Sequence, residues 1–214
     1  MRTVGIVTPW IDHPELLPDY AQAVARADEV VIVNNGAPDS DGGFFDAGFT
    51  VTRAGGTEGW SSMGFAESNN HGAEFVKTDI VVFLNNDILG DPSWIDQVRA
   101  DVEDGALYGP SIGTQTLRGL PVPYVEGWCV AATRSTWEHV GPWDAERFPK
   151  PYWEDVELSL RAVRRGVRLM RAPWAIAHLG GRSTSTTPGA WDGFDAQRRI
   201  VEQDLLDIME AAKP

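Results

Sequence analysis

The first half of the chain repeats one pattern: a short apolar, β-branched run, then a loop or a segment with helical spacing. The runs cover residues 3–8, 29–34 (EVVIVN), 49–53 and 79–85 (DIVVFLN). Runs this short and this continuously apolar predict strands buried on both faces. Residues 14–27 carry Leu16, Leu17, Tyr20, Val24 and Ala27 near helical spacing, and residues 64–77 predict a second helix. Asp91-Pro92 opens a third, with Trp94, Ile95 and Val98, and residues 107–111 predict a fifth strand. The order predicts an α/β fold, a mostly parallel sheet sandwiched by helices. Ligands of such sheets bind beyond the carboxyl ends of the strands. Those ends carry polar residues: Thr8 after the first strand, Asn34 and Asn35 after the second, and Asn85, Asn86 and Asp87 after the fourth.

The texture changes near residue 112. Residues 124–133 (YVEGWCVAAT) predict one strand and 135–140 a short helix. Residues 154–165 predict a helix with Val156, Leu160 and Val163 on one face. Short strands follow at 167–170 and 174–177, then a closing helix over 191–212 with Ile200, Leu205 and Ile208 as core candidates. With no long linker or repeat, the chain predicts a single continuous domain over 1–214 with two functional halves, 1–111 and 112–214.

Several classes are excluded. No G-x-G-x-x-G follows the first strand, and G-x-x-x-x-G-K-[ST] and G-x-S-x-G do not occur. That argues against a dinucleotide dehydrogenase, a P-loop enzyme and an α/β-hydrolase. The single Cys129 cannot build a disulfide framework or a cysteine zinc site and fits a reducing, cytoplasmic setting. The apolar runs are too short to span a bilayer, and the amino-terminal one meets Pro9 and Asp12, so neither membrane insertion nor a signal peptide is expected. A net charge of −13 opposes nonspecific binding to nucleic acid. Residues 161–199 nevertheless carry 8 Arg against 2 Asp. That segment is either a solvated basic face or a surface for a phosphorylated acceptor.

Three groups carry chemistry. Asp87 at the end of a buried strand reads either as a turn or capping residue or as a ligand for a hard divalent cation on a diphosphate. Glu154, Asp155 and Glu157 start a helix, where acids favour the helix dipole whatever their function, or where one serves as a base. His178 precedes Gly180-Gly181-Arg182, a loop suited to closing over phosphate oxygens.

Together these segments resemble the inverting GT-A glycosyltransferases of family 2, most closely the rhamnosyltransferase-like branch. The resemblance spans roughly residues 3–185 and rests on Thr8-Pro9, VIVNNGAPDSD (31–41), MGFAESNNHG (63–72), FLNND (83–87), GWCVAATRSTWEHVGPWDAERF (127–148), YWEDVELSLRAVRRG (152–166) and HLGGRS (178–183). It implies a GT-A, Rossmann-like fold and transfer of a sugar from a nucleotide-diphosphate donor (UDP, dTDP or GDP) to an acceptor hydroxyl. Thr8, Pro9, Asn34, Asn35, Gly64, Asn69, Asn85, Asn86, Asp87 and Arg182 are then expected at the donor. Asp87 and His178 are expected to hold Mn²⁺ or Mg²⁺. Asp155 is expected as the base, ionised by its helix N-terminus, and Glu154 as its partner or as an acceptor ligand. Gly127, Trp128 and Trp153 are expected on the acceptor side, unless the tryptophans are core. A carbohydrate acceptor is favoured, with lipid-linked sugar, protein or a modified DNA base as alternatives. Asn34 departs from the acid usual in the family. The competing reading is a GT-A-fold protein that binds nucleotide-sugar without turnover.

Overall fold

The computed structural model describes residues 1–11, 13–35, 41–53, 63–180 and 191–211. Its centre is a seven-stranded sheet in the order β10-β6-β9-β4-β1-β2-β3. The strands are β1 (Val4–Trp10), β2 (Glu29–Asn34), β3 (Thr50–Arg53), β4 (Ile80–Leu84), β6 (Ala106–Gly109), β9 (Cys129–Thr133) and β10 (Arg168–Arg171). All pairings are parallel except those of β9, which runs antiparallel to both β4 and β6. Two-stranded sheets join β5 (Ile88–Gly90) to β11 (Ile176–His178) and β7 (Ile112–Leu117) to β8 (Leu120–Val125).

The helices are α1 (Leu17–Ala23), α2 (Asp41–Asp46), α3 (Phe65–Ala73), α4 (Trp94–Asp101), α5 (Arg134–Val140), α6 (Glu154–Arg164) and α7 (Phe194–Ala211). Successive β1 residues point to opposite sides of the sheet, as strand geometry requires. Val4 and Ile6 join Tyr20, Trp94 and Val98 in one core, while Val7 joins Ala66, Trp137 and Leu158 in another. A third core lies between the β7–β8 hairpin, α6 and α7, around Leu117, Phe148, Val156 and Val201. This is the expected mixed α/β, Rossmann-like architecture.

Four expectations are corrected. The strand predicted over 124–133 is two strands, β8 and β9, broken at residues 126–128, and the β7–β8 hairpin was not anticipated. β5 was read as part of a turn into α4. Val163 does not share the buried face of α6, being 54% exposed. That face is instead Val156, Leu158, Ser159 and Ala162, together with the acids Glu154 and Glu157. Finally, β1 does not stop at Thr8. It continues to Trp10 because β2 keeps pairing with it, Pro9 opposite Val33 and Trp10 opposite Asn34. β4 pairs with β1 only as far as Val7, so the missing N–H of Pro9 falls where β1 has one neighbour.

Candidate active site

The polar ends of β4 and β11 meet. Antiparallel pairing sets His178 opposite Ile88, and the Leu179 N–H donates to the Asp87 carbonyl (2.8 Å). Asp87, buried, has its Oδ1 3.0 Å from His178 Nε2, and Asn85 Nδ2 lies 3.2 Å from the same ring nitrogen. Residues 91 and 93 apart in sequence thus share one point. One ring nitrogen cannot donate to Asp87 and accept from Asn85 at once. A carboxylate oxygen beside an imidazole nitrogen is a donor pair that suits Mn²⁺, and an oxygen-rich remainder from a diphosphate would suit Mg²⁺ also. Among the described residues no group of three or more His, Cys, Asp or Glu is placed to hold a metal ion.

The break at residues 126–128 joins the Asp87–His178 pair to the start of α6. The Trp128 ring stacks on His178, with centroids 5.1 Å apart and planes 6° from parallel. Its Nε1–H donates to Glu126 Oε2 (3.0 Å), which also accepts from the Ser111 hydroxyl. The Trp128 carbonyl accepts from the Asn85 N–H (2.8 Å). One residue earlier, the Gly127 N–H donates to Asp155 Oδ2 (3.0 Å). A Cβ on Gly127 would sit 3.2 Å from the Asp155 Cβ, a tight contact that Asp155 would have to ease by a few tenths of an ångström.

Asp155 is half-buried in the first turn of α6, and its Oδ1 accepts from the Val156 N–H (2.9 Å). Burial pushes its carboxyl up to about 6, with the charge of Glu126 adding to the rise. The Gly127 and Val156 N–H groups oppose the shift without cancelling it. The helix N-terminus favours the ionised form as expected, but burial outweighs it. Glu154 is 6% exposed, and its Oε2 has no hydrogen-bond partner. Burial, then the neighbouring Asp155 charge, drives its carboxyl well above the usual range. Burial thus raises both adjacent acids, and Asp155 is ionised above about pH 6. Glu157 is the third acid of this turn and binds Arg161 through both oxygens (2.8 and 2.9 Å) as a structural pair.

The approach to α6 is unusual. Tyr152 and Trp153 have φ of 82° and 73°, and neither is glycine. Each such residue costs on the order of 1–3 kcal/mol and persists only where its surroundings impose it. The Trp153 ring is buried against α7, 5.3 Å from Phe194, and so lies in the third core.

The other donor-side residues are dispersed by role. The Thr8 hydroxyl bonds Tyr20 inside the core, which removes it from the expected donor contact, because Thr8 lies on the Tyr20 side of β1. Pro9 is half-buried in the same strand. Asn34 Nδ2 donates to Asp41 Oδ1 (2.5 Å), and Asn35 Nδ2 donates to Ser68 Oγ (2.6 Å) while its Oδ1 is buried without a partner. Asn69 donates back to the Phe65 carbonyl within α3 (3.0 Å), and Asn86 is buried beside Asp87. Gly64 begins α3 against the Pro149 carbonyl, where an added Cβ would come within 2.4 Å. Arg182 lies outside the described residues. Four of the eight arginines of the 161–199 segment have partners within the fold among the described residues, Arg161 with Glu157 being the first. Arg165 donates to the His139 and Val140 carbonyls, Arg171 to that of Pro110, and Arg198 pairs with Glu202.

Sequence reasoning missed Glu126, Ser111 and Gln197. Glu126 was hidden by reading 124–133 as one strand, Ser111 by extending the fifth strand to residue 111, and Gln197 carried no signal in charge or periodicity.

With this geometry in view, solved structures give a clear neighbour. S. aureus TarS residues 1–349 in complex with UDP-GlcNAc aligns over 96% of this chain and 67% of that one, with a TM-score of 0.61 and 13% identity. The complex with UDP gives 0.61 at 11% identity, covering 96% and 66%. The chain shares the TarS fold. It spans 40% of the longer TarS structure, at a TM-score of 0.60 and 11% identity. No family model and no curated protein matches the chain.

Proposed function

We propose that the protein transfers a sugar from a nucleotide-diphosphate donor to an acceptor hydroxyl, with inversion at the anomeric carbon. The observation that carries this is the 126–128 segment, which ties an Asp87–His178 pair and an Asp155 carboxylate to one another through two adjacent residues. The TarS neighbours support the donor class, since their structures hold UDP-GlcNAc and UDP.

Asp87 and His178 would hold Mn²⁺ or Mg²⁺, which when bound neutralises charge on the departing diphosphate. Asn85 and Asn86 flank that point and suit ribose or phosphate oxygens. Asp155 accepts the proton of the acceptor hydroxyl while that oxygen forms its bond to the anomeric carbon and the bond to the diphosphate breaks. A base near pH 6 is ionised at neutral pH yet basic enough to take that proton as the oxygen attacks. Glu154, buried beside it with its carboxyl pushed well above the usual range, is not the group assigned to take that proton. Family 2, hexosyl or deoxyhexosyl transfer, a carbohydrate acceptor and a cytoplasmic setting belong to this proposal. Among the described residues no helix is long and apolar enough to cross a membrane.

The test is a screen of UDP-, dTDP- and GDP-sugars for release of nucleoside diphosphate, with Mn²⁺, Mg²⁺ or chelator, followed by an acceptor screen. Metal-dependent release that rises with an acceptor supports the proposal. Tight donor binding with no release under any acceptor would favour the non-catalytic alternative.

A further inference from the structure

The bend at Tyr152 and Trp153 runs straight into the base helix. The Trp153 carbonyl accepts from the Glu157 N–H (2.9 Å), so the strained pair forms the floor of the turn that contains Asp155. Something must hold two successive non-glycine residues in the left-handed region.

The structure supplies one group suited to this. Gln197, in the first turn of α7, is 4% exposed. Its Nε2 lies 2.7 Å from the Tyr152 carbonyl and 3.3 Å from those of Lys150 and Pro151, and its Oε1 accepts from the Lys150 N–H (3.3 Å). One side chain therefore engages the backbone of three successive residues. A buried amide is costly unless bonded, and an apolar residue would fill the same space without that cost. The bonds are thus what this residue contributes, rather than packing.

We propose that Gln197 is a positioning residue for Asp155: by gripping the carbonyls of residues 150–152 it keeps Tyr152 and Trp153 in their left-handed bend, and so sets the Asp155 carboxylate against the Gly127 N–H. The inference rests on Asp155 being the base of the proposed transfer. The titratable groups around Asp155 are Glu154 on its own helix, Glu126 in the segment before β9 and Tyr124 on β8. Gln197 carries no charge, so it reaches the titration of Asp155 only through geometry.

The experiment compares the wild type with Gln197→Met, which keeps length and removes the amide, and with Val201→Ala, which opens a cavity in the same core on the same helix. Donor affinity by calorimetry, kcat across pH and Tm are measured on each. Gln197→Met is expected to lose tenfold or more in kcat, with donor affinity within about twofold. The acidic limb of its kcat profile is expected to move toward the ordinary carboxylate range as Asp155 becomes hydrated. Val201→Ala is expected to lower Tm and leave both kcat and the limb in place. If Gln197→Met matches Val201→Ala, with Tm lowered and kcat and limb unchanged, the proposal is overturned. Should Gln197→Met fail to fold, the same readings on Gln197→Asn, whose amide is one methylene short, decide in the same way. A wild type without turnover, or an Asp155→Asn variant with unchanged kcat, instead removes the assignment of the base.

Discussion

The two acidic centres of the site are built in opposite ways. Asp87 sits at a strand end and faces an imidazole across an antiparallel pair of strands, on backbone with no strain. Asp155 sits in a helix start entered through two left-handed residues and faces a second acid, with another acid nearby. The first suits a task of position, holding a cation against a diphosphate. The second suits a task of proton affinity, and burial beside negative charge is how a carboxyl acquires it. Under the proposed transfer, the carboxylate that takes the proton is held against its ionised form, and the Gly127 and Val156 N–H groups offset only part of that.

The largest expected effect tests the proton-affinity centre. Asp155→Asn is expected to fold, to bind donor nearly as the wild type does, and to lose kcat by at least about 10²-fold. Loss of donor binding with unchanged kcat would reverse the contrast between the centres. Asp87→Ala addresses the other one. Donor affinity measured with Mn²⁺ is expected to fall at least about tenfold, while the two proteins become alike in chelator. Chelation is also expected to abolish wild-type turnover, and full activity in excess chelator would sink the metal pair.

A stability measurement sharpens the comparison further. The folded-state value of Asp155 lies above the ordinary carboxylate value, so the native state binds this proton more tightly than the unfolded chain. Stability from this group therefore falls as pH rises between the two values, and the penalty is complete above about 6. Asp155→Asn removes the charge and is expected to raise Tm relative to wild type at pH 8, with the gap closing near pH 4. An equal gap at both pH values would mean that the carboxylate is not held against its preference. The smallest effect is expected for Glu154→Gln. A buried neutral acid and an amide are nearly alike, so kcat is expected to stay within about tenfold, with the acceptor KM rising. A dead Glu154→Gln beside an active Asp155→Asn would exchange the two roles.

Much of the fold was legible because burial on both sheet faces leaves an unmistakable run of β-branched residues. The bounds of β2 were read as they stand, and β4 to within a residue at each end. The β7–β8 hairpin was not legible, because Pro121 and Pro123 and its exposed alternate residues mask a strand. The face of α6 was misread because Val163 suggests a core position, while the helix buries Glu154 and Glu157 against other partners. Asp87 and His178 stood out as polar residues closing apolar strands. Their meeting point came only through the family resemblance, because from the residues alone it depends on the β5–β11 pairing of three-residue strands. Thr8 drew attention for the same reason as Asp87, yet its hydroxyl serves Tyr20, since chain position does not reveal which face of a strand a residue takes.

The contact between Gly64 and Pro149 gives this site a narrow mechanical tolerance. The start of α3 rests directly on the loop that Gln197 grips from the next residue onward. No side chain cushions that joint, and even a methyl group would have to displace a peptide carbonyl. A disturbance introduced at the start of α3 would therefore arrive at the proposed base, Asp155, as a shift of backbone. Gly64→Ala, remote from the proton in sequence, should behave kinetically as a lesion of the base.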